Sequence, residues 1–435
     1  MQTQFSLAQL ADTNLAEAER IVRKCVHCGF CQATCPTYLL LGDELDSPRG
    51  RIYMIKDMLE GGRPASERIV RHVDRCLSCL GCMSTCPSDV NYMHLVDHAR
   101  VHIEQTYRRP WFDRMLRGLL AAVLPRPRVF RLAVAAAWAA RRGGLALPGR
   151  LGVLLRMAPA NLPRGDALAP QVFRAIGPRR MRVALLTGCV QTTLAPQINE
   201  ASVRLLRRLG CEVVVAEGAG CCGALTHHLG KAASARAYAA ANIAAWAREM
   251  EAGGLDAIVA NASGCGTMLK EYGFLLADDP DLAGPAAALS ARARDISEVV
   301  AELGFPAGAA APRPLHVAYH AACSLAHGQG ITDEPKALLE ALGFTVSDVP
   351  EGHICCGSAG FYNLLQPEIA SRLAARKAAH IGETGAQVVA AGNIGCMVQI
   401  GSASRLPVVH TIELLDWATG GPAPAALAAG VTSAL

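Results

Sequence analysis

Sixteen of the seventeen cysteines in this 435-residue chain fall into two spacing patterns, and each pattern is written twice. Cys25, Cys28, Cys31 and Cys35, the last followed by Pro36, are matched by Cys76, Cys79, Cys82 and Cys86, followed by Pro87. Further along, Cys189, Cys221, Cys222 and Cys265 are answered by Cys323, Cys355, Cys356 and Cys396. The adjacent pairs, in "AGCCGALT" and "HICCGSAG", exclude the simplest use of so much sulfur. Neighbouring Cα atoms lie about 3.8 Å apart across a trans peptide, short of the roughly 4.4–6.8 Å of a relaxed disulfide. The N-terminal "MQTQFSLAQL" shows no basic region followed by an apolar core, so no secretory signal is expected and the cytoplasm is the default. In that reducing setting thiols favour metals or redox chemistry over structural disulfides. No clean apolar run of roughly 18 residues is present to span a bilayer; "LAVAAAWAA" is closed off by Arg131 and Arg141.

The first pattern reads C-x2-C-x2-C-x3-C-P, the spacing of bacterial two-cluster ferredoxins. Three closely spaced thiolates wrap three irons of one [4Fe–4S] cubane, and the fourth, turned away by the proline, reaches the other. The expected ligand sets are therefore crossed. One joins Cys25, Cys28, Cys31 and Cys86; the other joins Cys76, Cys79, Cys82 and Cys35. Zinc usually takes two separated C-x2-C pairs instead. Gly29 and Gly81 are expected to let backbone amides approach the sulfides. Between the motifs, "SPRGRIYMIKDMLEGG" spaces Ile52, Ile55 and Leu59 along one helical face. Upstream, "TNLAEAERIVRKC" predicts a helix capped by Thr13 or Asn14.

The second pattern is an internal duplication. "VALLTGC" ends at Cys189 and "LHVAYHAAC" at Cys323, and in both cases the doublet follows thirty-two positions later. "NASGC" then brings Cys265, and "NIGC" brings Cys396. Apolar runs ("CEVVVA", "LDAIVA", "QVVAAG") alternate with helical stretches ("EASVRLLRRLG", "ASRLAARKAAHIG"), which argues parallel α/β units. The cysteines fall just past predicted strand ends, where open α/β sheets build their sites. Cys211, outside both patterns, is matched by Phe344 in the second copy and reads as a buried apolar residue. "GAGCCG" fits a dinucleotide-binding loop, but its counterpart "GHICCG" lacks the middle glycine and no suitable acid follows. Any flavin or nicotinamide is expected on another chain.

From Tyr107 to Arg180 there are fifteen Arg, no Lys and two acids, a net charge of +13 within a chain of +5 overall. Its basic amphipathic helices suit anionic lipid or an acidic partner, or form a solvated face. No recognised nucleic-acid-binding motif accompanies the charge.

The doublets with their flanking cysteines resemble the cysteine-rich CCG domain of heterodisulfide reductases, here fused behind a ferredoxin module. That arrangement is known from iron–sulfur subunits of glycolate oxidase, of anaerobic glycerol-3-phosphate dehydrogenase and of lactate-utilisation proteins. "DSPRGRIYMIK", "LTGCVQTTLAPQIN", "NASGCGTMLKEYG", "HGQG" and "CCGSAGFYNLLQPE" are similar to the glycolate oxidase iron–sulfur family. The resemblance implies a mixed fold: an α-helical two-cluster ferredoxin domain (1–105), a basic helical connector (106–180), CCG repeats of α/β type (181–306 and 313–420) and a flexible tail (421–435). It implies an electron-transfer subunit that holds two [4Fe–4S] clusters and carries no catalytic residue for the substrate. An FAD-binding partner would oxidise glycolate to glyoxylate, with electrons passing towards quinone at the inner face of the membrane. D-Lactate or glycerol-3-phosphate as substrate, or a self-contained thiol–disulfide enzyme, are the alternatives. One further cluster per repeat is expected on Cys189, Cys221, Cys222 and Cys265, and on Cys323, Cys355, Cys356 and Cys396. Heterodisulfide reductase carries an additional thiol where this chain has Met268 and Gln399. His227, His228, His320, His327 and His353 lie near the cysteines and could substitute, although hydrogen-bonding loop roles are the simpler reading.

Overall fold

The computed structural model describes residues 1–145, 147, 149–156, 158, 162 and 168–428. The last residues of the expected tail (429–435) and part of the connector lie outside them.

The N-terminal region is all-helical and built around Thr13–Lys24, Pro48–Glu60, Glu67–Asp74 and Tyr92–Thr106. Asp12, not Thr13 or Asn14, caps the first: its carboxylate accepts from the Asn14 and Leu15 amides at 2.8 and 3.2 Å. A carboxylate there also meets the positive end of the helix dipole, so the cap sits one residue earlier than the sequence pattern suggests. Ser47 caps Pro48–Glu60, whose first-turn proline needs no amide partner. Ile52, Ile55 and Leu59 lie inward in one core with Ile21, Val22, Leu95 and Val96. The connector forms Trp111–Val123, Pro127–Arg142 and Gly149–Arg156.

Among the described residues, nine strands follow: β1 (Gln171–Phe173), β2 (Met181–Leu186), β3 (Cys211–Val215), β4 (Ala257–Ala260), β5 (Ala293–Asp295), β6 (His316–His320), β7 (Thr345–Asp348), β8 (Val388–Ala391) and β9 (Val408–His410). They make two sheets, ordered β1-β3-β2-β4-β5 and β7-β6-β8-β9. All pairings are parallel except β1 with β3. In each sheet the first strand of the repeat, β2 or β6, lies between the next two. Chain direction across the sheet therefore reverses at that strand, which is where open α/β sheets leave a crevice.

Alternation along the strands divides the apolar residues between two faces. Val183, Leu185, Val213 and Val259 from the first sheet share one core with Val317, Tyr319, Val388 and Ala390 from the second. Cys211 lies in that core, fully buried, and Phe344 with it. The repeats are thus packed back to back. Pro196–Arg208 meets Thr411–Ala418 across the join, and Arg204 and Arg208 both bind the buried Asp416 carboxylate. No helix among the described residues is long and apolar enough to cross a membrane.

Candidate metal centres

Cys25, Cys28, Cys31 and Cys86 line one recess, with Arg49 at its rim. Cys35, Cys76, Cys79 and Cys82 line a second, with Arg51 and Tyr92. Cys82 also reaches the wall of the first. The fold therefore brings the fourth cysteine of each motif to the other motif's triplet. The loops between the triplet cysteines contain left-handed residues: His27 (φ 57°) and Gly29 (φ 88°) in the first, Ser78 (φ 50°) and Leu80 (φ 64°) in the second. Alternating hand in this way curls backbone N–H groups into a concavity suited to an anionic iron–sulfur group. The left-handed counterpart of Gly29 is Leu80, not Gly81. Gly81 instead starts a short helix, where an added Cβ would meet only ordinary contacts. A left-handed buried leucine is strained backbone of the sort found at functional sites.

Burial pushes the Cys79 and Cys82 thiols well above their ordinary range, and that of Cys31 up to about 11. Without metal these groups hold their protons at neutral pH, so loading releases protons. The second recess also holds a cation. Arg51 is fully buried; its Nε donates to the His72 carbonyl at 2.7 Å and its Nη2 to Thr37 Oγ1 at 3.0 Å. Nη2 lies 3.3 Å from the Asp46 carboxylate and Nη1 3.9 Å from Cys35 Sγ. Burial would lower the guanidinium's pKa, but nearby Cys76, Cys35 and Asp46 outweigh it and hold the group above its usual value. Tyr92 Oη stands 3.7 Å from Cys76 Sγ. Arg51 and Tyr92 escape sequence reading, because an arginine in a helical pattern looks like a solvated residue.

In the repeats, Cys189 follows β2, the doublet Cys221–Cys222 follows β3 and Cys265 follows β4. These are the three strands at the reversal point, so their C-terminal loops meet there. Cys221 lies in hydrogen-bonding range of Cys189 and Cys222, and Cys222 of Cys265. The second repeat repeats the arrangement after β6, β7 and β8. Cys323 Sγ is 3.8 Å from Cys355 Sγ, and Cys356 contacts both Cys355 and Cys396. Each set of four thiols converges. Gly223 (φ 91°) and Gly357 (φ 89°) make the turn that permits it, each donating its N–H back to Sγ of the doublet's first cysteine at 3.4 Å. An alanine Cβ would press on Ala235 O at 3.0 Å or Ala370 O at 2.7 Å. A buried amide network stiffens the first site. Gln191 Nε2 donates to Asn199 and Asn261, and Asn199 Nδ2 donates to the Thr187 carbonyl at 2.9 Å.

The histidines near these cysteines differ. His227 Nε2 is 3.0 Å from the Asp97 carboxylate. His327 lies between Ser84 Oγ (2.8 Å) and the His353 carbonyl (3.2 Å). His228 Nδ1 is buried without a partner. His320 belongs to a strand, not a loop, and neither of its ring nitrogens has a partner. Donor type, convergence and the turned backbone all fit iron–sulfur groups at the two ferredoxin recesses, and four thiols per repeat fit a further metal centre in each.

The ferredoxin region also touches the second repeat directly. Leu77 and Cys79 share a buried cluster with Ile354, Cys355 and Tyr362, against which Cys323 packs. Tyr362 Oη donates to the Arg75 carbonyl at 3.0 Å, and Arg372 to the Leu40 carbonyl at 2.9 Å.

A helical pair of crossed thiolate sites, joined to duplicated α/β units with thiols at their reversal points, defines an iron–sulfur protein of the electron-transfer class. The comparisons agree. Residues 21–90 match the 4Fe-4S dicluster domain, and residues 183–270 and 317–401 match the Cysteine-rich domain. The chain is 43% identical over 419 residues to the glycolate oxidase iron–sulfur subunit of Escherichia coli (strain K12), covering 96% of this chain and 99% of that one. It is 34% identical to the probable glycolate oxidase iron–sulfur subunit of Bacillus subtilis (strain 168), covering 91% and 94%. Lactate utilization protein A of the same organism is 28% identical over 54% of this chain and 99% of its own length. A solved structure described as a hypothetical protein from Helicobacter pylori aligns with TM-score 0.56 at 10% identity, covering 96% of this chain and 74% of that one, a likeness of fold alone. The chain belongs to the glycolate oxidase iron–sulfur subunit family.

Proposed function

We propose that this chain is the electron-transfer subunit of a multi-subunit complex that oxidises glycolate to glyoxylate, with the FAD and the substrate chemistry on partner chains. When bound, [4Fe–4S] groups supply one-electron acceptors matched to a flavin that must release two electrons singly. The ligands we assign are the crossed sets, Cys25, Cys28, Cys31 with Cys86 and Cys76, Cys79, Cys82 with Cys35. The eight repeat cysteines would hold one further centre in each repeat.

The observation that carries the reading is the buried apolar cluster that holds Cys79 and Cys355, with Cys323 packed against it, which makes the second ferredoxin site and the second repeat neighbours. The first ferredoxin site is the open end. Cys28 is exposed there, beside Val26 (68% exposed) and Phe30 (63%), an apolar rim suited to a docking flavoprotein. Arg51 places a fully buried positive charge against the second site, whereas Arg49 at the first is a third exposed and paired with Glu44. The less screened charge favours the reduced form at the second site and directs electrons inward. Delivery towards quinone would occur at an anionic membrane surface met by the connector.

The test is reconstitution. Purified alone, the chain does not reduce an artificial dye with glycolate; adding the flavoprotein partners confers the activity. Turnover by the isolated chain would overturn the division of labour.

A further inference from the structure

The two repeats carry the same four cysteines, yet their sites are not chemically alike. Val183 of β2 and Val317 of β6 occupy equivalent places, pairing with Ala257 and Val388 at the start of β4 and β8. Counting along the strands sets Leu186 of the first repeat against His320 of the second. Both end their strands at the edge where the thiols gather. Leu186 is an ordinary core residue packed with Cys222 and Met268. His320 is as deeply buried, at 1% exposure, and neither Nδ1 nor Nε2 finds a hydrogen-bond partner.

An imidazole with both nitrogens orphaned in the interior is costly, because each has given up its water partners and gained none. The first repeat shows that leucine fits the position, so packing does not demand the imidazole. Its surroundings suggest what does. A ring nitrogen of His320 and the Sγ atoms of Cys356 and Cys396 all lie within 4.8 Å of one another, and all three residues are buried. Cys323 and Cys355 complete the ring of donors at 3.8 Å separation.

We propose that His320 is a fifth protein ligand at the second repeat, giving its iron–sulfur centre an imidazole donor that the first repeat cannot offer. The inference rests on the reading that this repeat holds such a centre. A neutral imidazole nitrogen satisfies both sides, since the orphaned nitrogen gains a partner and an iron gains a donor without added negative charge. Imidazole in place of thiolate raises the potential of an iron–sulfur site, so a histidine here gives a higher potential than a fifth cysteine would. The second repeat, which touches the second ferredoxin site, would then differ from the first in its number of ligands. The equivalent place of Lys377, buried behind the second cage, is taken in the first by Asn242, which donates to the Cys221 carbonyl at 2.9 Å. That positive charge beside the thiols favours the reduced form of the second centre and makes it the more oxidising of the two.

Nitrogen hyperfine spectroscopy of anaerobic, stepwise-reduced protein labelled with 15N-histidine tests this. The expected result is a strongly coupled histidine nitrogen on one centre. It should disappear in His320→Leu and in His320→Cys, while the ferredoxin signals stay unchanged as the control for folding. His320→Cys should keep the wild-type iron content and lower that centre's potential. Iron at the second repeat with no coupled nitrogen, or coupling that survives both substitutions, would overturn the ligand assignment. Cys355→Ser and Cys356→Ser separate the two failures. If neither lowers iron content or alters any spectrum, the repeat holds no centre, and the underlying reading falls with the proposal.

Discussion

Cys35 shows how far a single residue's role depends on backbone direction and not on sequence neighbours. It precedes Pro36, the first residue of Pro36–Leu41, and serves as that helix's N-cap. The proline cannot continue the preceding loop, so the chain turns and carries the thiol to Cys76, Cys79 and Cys82. Cys35→Ser should therefore damage the second motif's cluster and spare that of its own motif. Iron content should fall, and of the two cubane EPR signals the one tied to Arg51 and Tyr92 should be lost. Loss of the other signal would reverse the crossed assignment. This pairing was legible in the sequence because C-P directly after x3 is a local signal with a local cause. Arg51 was not, because its meaning comes from Asp46, Thr37 and His72 closing around it, and no spacing announces that. His320 lay between these cases. It stood out as a histidine near cysteines, but only strand register sets it against Leu186.

At the scale of elements, the strands were readable because parallel strands buried on both faces are short β-branched runs, as "CEVVVA" and "LDAIVA" are. β1 was not, since three residues leave no period to detect and "QVF" gains its place only by pairing with β3. The cap of Thr13–Lys24 was read to within a residue. The cap of Thr411–Ala418, His410, was not read, and it has a consequence for pH. Its Nδ1 accepts from the Ile412 amide at 3.2 Å, and the Glu413 carboxylate accepts from the His410 N–H at 2.9 Å, capping Thr411–Ala418 beside the join between repeats. Burial pushes its pKa down to about 4, whereas in the unfolded chain a histidine titrates near 6.5. The folded pKa is the lower, so the unfolded chain binds the extra proton. The stabilisation is complete above about pH 6.5 and is lost as pH falls towards 4. Asparagine caps a helix well without titrating. The unfolding free energy of His410→Asn from urea titration should thus fall less than wild type's between pH 7 and 5, a difference of about 2 kcal/mol. Other titrating groups are common to both proteins and cancel. Equal losses would show that the imidazole is not the group responsible.

Across the whole molecule, the connector's charge is divided in a way composition could not reveal. Arg109 and Arg117 point inward and bind Asp74, at 2.6 and 2.9 Å, while Arg117 and Arg150 bind Asp113, both at 2.9 Å. Arg109 and Arg117 fasten the connector to the ferredoxin region, Arg150 ties two connector helices together, and all three are engaged in these pairs. What faces outward on Trp111–Val123 is an apolar stripe, Trp111 (70% exposed), Met115 and Leu119, repeating every four residues on one helical face. On the next helix Val129 and Leu132 (74%) are also exposed, interleaved in sequence with Arg128 and Arg131 and close after Arg126. An exposed apolar face edged by arginine has the form of an interfacial membrane contact, with lipid tails taking the stripe and anionic headgroups the guanidinium groups. Binding to vesicles rich in anionic lipid should weaken as salt rises from low to a few tenths molar, because exposed charges are screened over about 8–10 Å at 0.10–0.15 M. Arg126, Arg128 and Arg131 changed together to Gln should reproduce at low salt the weakness of the wild type at high salt. Trp111→Ser should weaken binding equally at every salt concentration, since the apolar contribution is not screened. Association indifferent to salt and to the triple substitution would leave the outward arginines as a solvated face, and electron delivery would then need a protein docked on the stripe in place of the membrane.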